Sequence, residues 1–154
     1  MTKRILLFLI TGGGAGYLPW APGTAGTLVA IPLSLGLNRI AGASLYIALI
    51  TVIAFIAFAT WLCQIGEGIF AGKDNPKIVV DEIAGFLVAN FASPPELKPA
   101  LLAFLLFRFF DIIKPFPAGR AERISGGLGV ILDDLIAGIY AFVVLRLFLS
   151  WGVV

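Results

Sequence analysis

Five apolar segments dominate the chain, set apart by short stretches of glycine, proline and charge. They run over residues 24–37, 41–63, 78–92, 99–113 and 130–151. Their length and unbroken apolar character predict helices, because strands of that length are uncommon and would alternate. Segment 41–63 carries no charge and at ~1.5 Å per residue reaches roughly 34 Å, enough to cross a bilayer. The others are shorter or interrupted, and some are expected to be tilted or partial. Asn38-Arg39 is expected to separate the first two segments, and residues 66–77 the second and third. Ser93-Pro94-Pro95 and Lys114-Pro115-Phe116-Pro117 mark the later breaks, since proline cannot continue a helix. The expected fold is all-α: a compact multi-helix membrane bundle of about five main helices, in a single domain over residues 1–154. Ile5 to Ile10 form only a six-residue apolar run, too short for a signal peptide, so insertion would rely on the internal helices.

Direction adds information that periodicity does not. Short connections make consecutive helices alternate up and down. Pro22-Gly23-Thr24 at the start of the first segment then shares a face with Asp81-Glu82 at the start of the third. Arg108 and Asp111 at the end of the fourth and Asp133-Asp134 at the start of the fifth join them. The opposite ends read as apolar. A weak echo links Val80-Asp81-Glu82-Ile83-Ala84-Gly85 with Leu132-Asp133-Asp134-Leu135-Ile136-Ala137-Gly138. Each has an acidic pair near a helix start and a small residue about one turn later, as close helix approach in a membrane requires.

Composition agrees with a lipid solvent. The 154 residues are 60% hydrophobic and only 13% charged, and the mean hydropathy is +1.03. Soluble domains are about 25% charged. A net charge of +2 without a long basic run argues against nucleic acid. The lone Cys63 cannot form an internal disulfide.

Acidic groups at a membrane face are costly unless paired, hydrated or bound to metal. Two acidic pairs with Asp111 would repel one another, and a divalent cation relieves that; carboxylate and water oxygens are the ligands Mg²⁺ prefers. Helix N-termini also favour single acids, which accounts for one carboxylate per helix but poorly for adjacent pairs on two helices. Arg108 and Asp111, three apart, can be a simple ion pair. Arg108, Lys114, Arg120 and Arg123 supply the donors a phosphate wants, although Arg120 and Arg123 also suit a solvated positive face. Pro22-Gly23-Thr24-Ala25-Gly26-Thr27 offers free backbone N–H groups and hydroxyls to an anion, while Thr24 can equally be an N-cap. The Gly12-Gly13-Gly14-Ala15-Gly16 run lacks the features of a nucleotide-binding loop.

At these residues the sequence resembles the phosphatidylglycerophosphatase A family. Four blocks carry the likeness in order and approximate spacing. They are Pro22 to Thr27, Ile78 to Gly85, Phe107 to Pro117 (with Arg108, Asp111 and Lys114), and Gly126 to Gly138. The resemblance implies a Mg²⁺-dependent bacterial membrane enzyme that removes the terminal phosphate of phosphatidylglycerophosphate, giving phosphatidylglycerol and phosphate. It implies catalytic roles for Asp81, Glu82, Asp111, Asp133 and Asp134, with Asp81, Glu82, Asp133 and Asp134 holding the metal. Phosphate binding is expected from Thr24, Gly26, Thr27, Arg108, Lys114 and Arg123, the last through a Glu122-Arg123 pair that differs from the family by one residue in length. Some relatives have histidine before the third segment; this chain has none.

What is missing narrows the chemistry. Without histidine no phosphohistidine can form. Cys63 has Ile69, not arginine, six residues on, and no Asp-x-Asp pair exists. Hydrolysis by water activated at a shared cation remains the simple route, with Asp111 or Glu82 accepting its proton, and an aspartyl-phosphate stays open. Loop cations Lys73, Lys77, Lys114, Arg120 and Arg123 on the motif face outnumber Arg39 and Lys98 opposite. That bias places the motif face in the cytoplasm of a multi-pass protein of the bacterial inner membrane. A phosphatidyl transferase would need a different acidic spacing. A small cation transporter would need acids near the midplane and a polar path to both faces. The phospholipid substrate is the expected partner, and oligomeric state, a homo-oligomer included, stays open.

Overall fold

A computed structural model describes residues 2–72, 75–121 and 124–153. Its order is α1 (Lys3–Ile10), a 3₁₀ turn (Ala15–Tyr17), α2 (Pro22–Ala43), α3 (Leu45–Phe70), α4 (Val80–Ala89), α5 (Leu97–Ile113), α6 (Ala118–Ala121) and α7 (Gly127–Ser150). No strand occurs among the described residues. The protein is an all-helical bundle.

The shortest of the main helices is its centre. In α4 every residue except Glu82 and Val88 is buried, which an all-round apolar sequence demands. It packs against α7, α2, α3 and α5. Phe86 meets Phe107 of α5 edge to face at 6.2 Å between ring centres. Against α7 the contact is made by backbone. A Cβ at Gly85 would lie 2.6 Å from the Asp134 carbonyl oxygen, and one at Gly138 would strike the Gly85 carbonyl. The two echoing sequences thus cross each other at their glycines, with an acidic pair just before each.

The outer surface is apolar. Phe8, Tyr46, Ile50, Leu105, Ile112 and Val143 are all exposed, an inverted arrangement that suits hydrocarbon rather than water. Among the described residues two helices are long and apolar enough to cross a membrane: α3, with mean hydropathy 2.4, and α7, with 2.1. The sequence pattern alone singled out only the first. The protein associates with membranes.

Several boundaries depart from the sequence expectation for packing reasons. Helix α2 passes through Asn38-Arg39 because the Asn38 side chain, buried, donates to the Asn90 carbonyl at 2.8 Å rather than breaking the helix. Helix α3 starts at Leu45, where the Ile47 N–H donates to Ser44 Oγ at 3.4 Å. It then continues through Gly66, where a Cβ would sit 3.0 Å from Ile78 Cδ1. Helix α7 begins at Gly127, whose N–H donates to Gln64 Oε1 of α3 at 2.9 Å. The N-terminal run forms α1, with Ile10 buried against Leu62 and Cys63 of α3.

The far end of the bundle is not apolar, contrary to expectation. Asn90 Nδ2 donates to Ser34 Oγ at 3.0 Å, and Arg146 donates to the Phe91 carbonyl. These groups were hidden in the sequence as isolated polar letters in apolar runs.

Candidate active site

Three helix starts and one helix end converge at one end of the bundle. Asp81 and Glu82 occupy the first turn of α4, where the helix dipole favours negative charge. Asp133 and Asp134 lie in the second turn of α7. Arg108 and Asp111 end α5, and Lys114 follows in the left-handed region with φ 50°. Pro22 and Gly23 open α2. Together with Pro76, these residues line a cavity of about 360 Å³.

Within it, carboxylate oxygens of Asp81, Glu82 and Asp134 all lie within 4.8 Å of one another. Asp81 and Asp134 are only 3% and 5% exposed. The Glu82 N–H donates to Asp81 Oδ1 at 3.0 Å. Glu82 Oε2 is buried and has no hydrogen-bond partner among the described residues. Burial foremost, with the Asp134 and Asp111 charges adding, pushes the Glu82 carboxyl up to about 8 against the lowering effect of its Asp81 hydrogen bond. A trio of hard oxygen donors from two helices, one of them an orphaned buried oxygen, fits a divalent cation such as Mg²⁺.

Asp133 stands apart from the trio. Neighbouring residues on a helix point about 100° apart, so Asp134 turns toward Asp81 and Glu82 while Asp133 Oδ2 accepts from Lys114 Nζ at 2.9 Å. Asp111 Oδ2 accepts from Arg108 Nη1 at 2.5 Å. The Arg108–Asp111 ion pair therefore exists, but inside the cavity. Arg108 Nε is buried without a hydrogen-bond partner among the described residues.

The glycine-threonine motif divides. Gly23 faces the cavity so closely that a Cβ there would meet the Glu82 carboxylate, with Arg108 Nη1 at 3.2 Å. Thr24, Gly26 and Thr27 do not line the cavity. Gly26 is spent on packing, since a Cβ would fall 2.7 Å from Val79 Cβ. Thr27 is fully buried and its hydroxyl donates to the Gly23 carbonyl at 2.8 Å. Thr24 is not an N-cap either, because the helix starts two residues earlier after Ala21. Arg123 lies outside the described residues, as do Glu122 and Lys73. Sequence reasoning put Gly23 in the motif and on the acidic face but chose Thr24, Gly26 and Thr27 as the binding residues; the signal for Gly23 was the Pro-Gly pair at a helix start, where only a residue without a side chain admits two charged groups.

The sequence profile of the family described as phosphatidylglycerophosphatase A matches residues 8–149. The chain belongs to that family. A Haemophilus influenzae protein named phosphatidylglycerophosphatase A is 35% identical over 145 residues, covering 93% of this chain and 88% of the relative. The Escherichia coli protein of the same name is 32% identical over 133 residues, covering 85% and 76%. A Bacteroides thetaiotaomicron protein provisionally named phosphatidylinositol-3-phosphatase is 36% identical over 140 residues, covering 88% and 87%. No solved structure matches significantly. The protein is thus a phosphoric monoester hydrolase, and its cavity joins an acidic cluster able to hold a metal ion with two cations suited to phosphate.

Proposed function

We propose that the protein hydrolyses the terminal phosphate of phosphatidylglycerophosphate in a Mg²⁺-dependent reaction, releasing phosphatidylglycerol and inorganic phosphate. It does so as a single-domain, multi-pass protein of the bacterial inner membrane with its cavity facing the cytoplasm. The observation that carries this reading is the carboxylate trio beside Arg108 and Lys114, at one end of a bundle whose outer surface is apolar. Acyl chains then stay along the helices while the headgroup reaches the cavity.

Asp81, Glu82 and Asp134 would hold the metal. When bound, Mg²⁺ supplies neutralisation of phosphate charge and a more acidic water. Arg108, oriented by Asp111, keeps donors for two phosphate oxygens, and Lys114 adds a point charge. As the water oxygen bonds to phosphorus and the P–O bond to the glycerol breaks, Asp111 would take the water's proton and pass it to the leaving glycerol oxygen. Gly23, without a side chain, lets Glu82 and Arg108 come close to the start of α2 at the edge of the cavity.

The name of the Bacteroides relative favours a second reading, a 3-phosphorylated inositol lipid as substrate. The test measures phosphate release by purified protein from both lipids, with Mg²⁺ and with chelator, alongside Asp81→Asn. Release from phosphatidylglycerophosphate that needs Mg²⁺ and Asp81 supports the proposal. Preference for the inositol lipid moves the substrate to the second reading, and activity indifferent to chelator and to Asp81→Asn overturns the site.

A further inference from the structure

At the end of the bundle away from the acids, α2, the loop after α4, and α7 enclose a cavity of about 550 Å³. Along α7, Arg146 is 13 residues beyond Asp133, roughly 20 Å at the helical rise. The two cavities share no lining residue.

Arg146 supplies the charge here. Its guanidinium donates to the Phe91 carbonyl and lies 4.8 Å from the centre of the Phe142 ring. No carboxylate pairs with it among the described residues. A cation in a membrane-crossing helix without a counter-ion is costly, and an anion removes that cost. Two polar side chains of the lining are left incomplete. Asn38 is 2% exposed and Ser93 4%. Asn38 Oδ1 and Ser93 Oγ are buried with no hydrogen-bond partner among the described residues. Asn38 Nδ2 is already committed to the Asn90 carbonyl, so the group Asn38 leaves unmatched is an acceptor. Its complement is a donor, which a bare phosphodiester lacks. The rest of the lining is Ala41, Gly42, Ala92, Pro94, Pro95 and Leu149. One turn beyond Arg146, α7 ends, the depth at which lipid headgroups begin.

We propose that this cavity binds the headgroup of an anionic phospholipid bearing a free hydroxyl. The phosphodiester pairs with Arg146, and the headgroup hydroxyl donates to Asn38 Oδ1 beside Ser93. A cavity of this size accommodates a headgroup. Choline headgroups, which carry no N–H or O–H donor, leave Asn38 unsatisfied.

The test uses the full chain in neutral detergent with chelator and the Asp81→Asn background, so that hydrolysis plays no part. Thermal unfolding is followed while short-chain phosphatidylglycerol, short-chain phosphatidylcholine or inorganic phosphate is added. Phosphatidylglycerol alone should raise Tm saturably. Arg146→Met should weaken its apparent affinity about tenfold, the scale of a lost charged hydrogen bond. Ser93→Ala, which removes a hydroxyl with no protein partner among the described residues, should leave the lipid-free Tm in place and weaken the lipid a few-fold. An equal effect of phosphatidylcholine overturns the proposal, as does an undiminished lipid response in Arg146→Met. Inorganic phosphate acting as well as the lipid overturns the lipid assignment. Should Arg146→Met not fold, unchanged lipid affinity in Ser93→Ala overturns it.

Discussion

At the acidic end five carboxylates share a cavity with two cations, whereas at the far end a single arginine has no carboxylate partner among the described residues. Between them lie Phe86, Phe107 and Leu87, buried and apolar. At the far end Asn38, Asn90 and Ser34 form a chain of hydrogen bonds that ties α2 to the end of α4, although Asn38 Oδ1, Asn90 Oδ1 and Ser93 Oγ stay unpartnered among the described residues. The acidic end differs in holding like charges close together, with an orphaned oxygen on Glu82 among them. The far end uses its hydrogen bonds to hold helices together; the acidic end stores repulsion that a bound cation would relieve. The apolar waist also removes the continuous polar path that a cation transporter would need.

That comparison can be broken most sharply at Asp134. Asp134→Asn should lower phosphate release by about 100-fold or more, the scale of losing a group that stabilises transition-state charge. Its Tm in chelator should not fall, because a repulsive charge is gone. A lower Tm with retained activity would reverse the assignment. Gly85→Ala should cost about 1–3 kcal/mol by overpacking the crossing of α4 and α7, read as a lower Tm with activity impaired as well, since both acidic pairs ride on that contact.

Gly23→Ala should reduce phosphate release about tenfold by displacing Glu82 and Arg108, with little change in Tm. An unaffected rate would remove Gly23 from the site.

The raised Glu82 carboxyl gives a pH signature. Its ordinary value is 4.5 and burial lifts it to about 8 in the fold. The folded state therefore holds a proton that the unfolded chain has lost. In chelator its contribution to stability is complete below 4.5 and disappears as pH rises through about 8. A Mg²⁺ ion held by Glu82 would take the place of that proton, so the Tm gained on adding Mg²⁺ should grow across the same range. A gain independent of pH would show that Glu82 is not a ligand.

The smallest effect belongs to the far end. Ser34→Ala leaves the Asn90 amide without its acceptor and should cost about 1 kcal/mol, measured by thermal unfolding, with phosphate release unchanged. A fall in activity would couple the two ends.

Much of the acidic end was legible in the sequence. Alternating helices alone placed Asp81-Glu82, Arg108, Asp111, Lys114 and Asp133-Asp134 at one end, and they share a cavity there. The acid-glycine echo also had meaning, since Gly85 and Gly138 are where the two helices cross. The lesson fails at finer scale. Which aspartate of an adjacent pair turns inward depends on helix rotation, and rotation is set by packing on every side. Gly26 and Thr27 sat in a plausible anion motif, yet their face of α2 meets Val79 and the helix's own backbone. Gly66 read as a break because a propensity for turns cannot anticipate a neighbouring helix close enough to need a glycine.

By itself the sequence determined a lipid-embedded helical bundle, its family, and an acidic end opposite another. Those follow from composition and chain direction, which survive any detail of packing. Only the tertiary structure decided that Asp134 joins Asp81 and Glu82 while Asp133 faces Lys114, that Gly23 borders the acidic cavity, and that Arg146 opens onto a second one. Each depends on where a side chain points after neighbouring helices have locked their rotation and depth, and no local pattern encodes that.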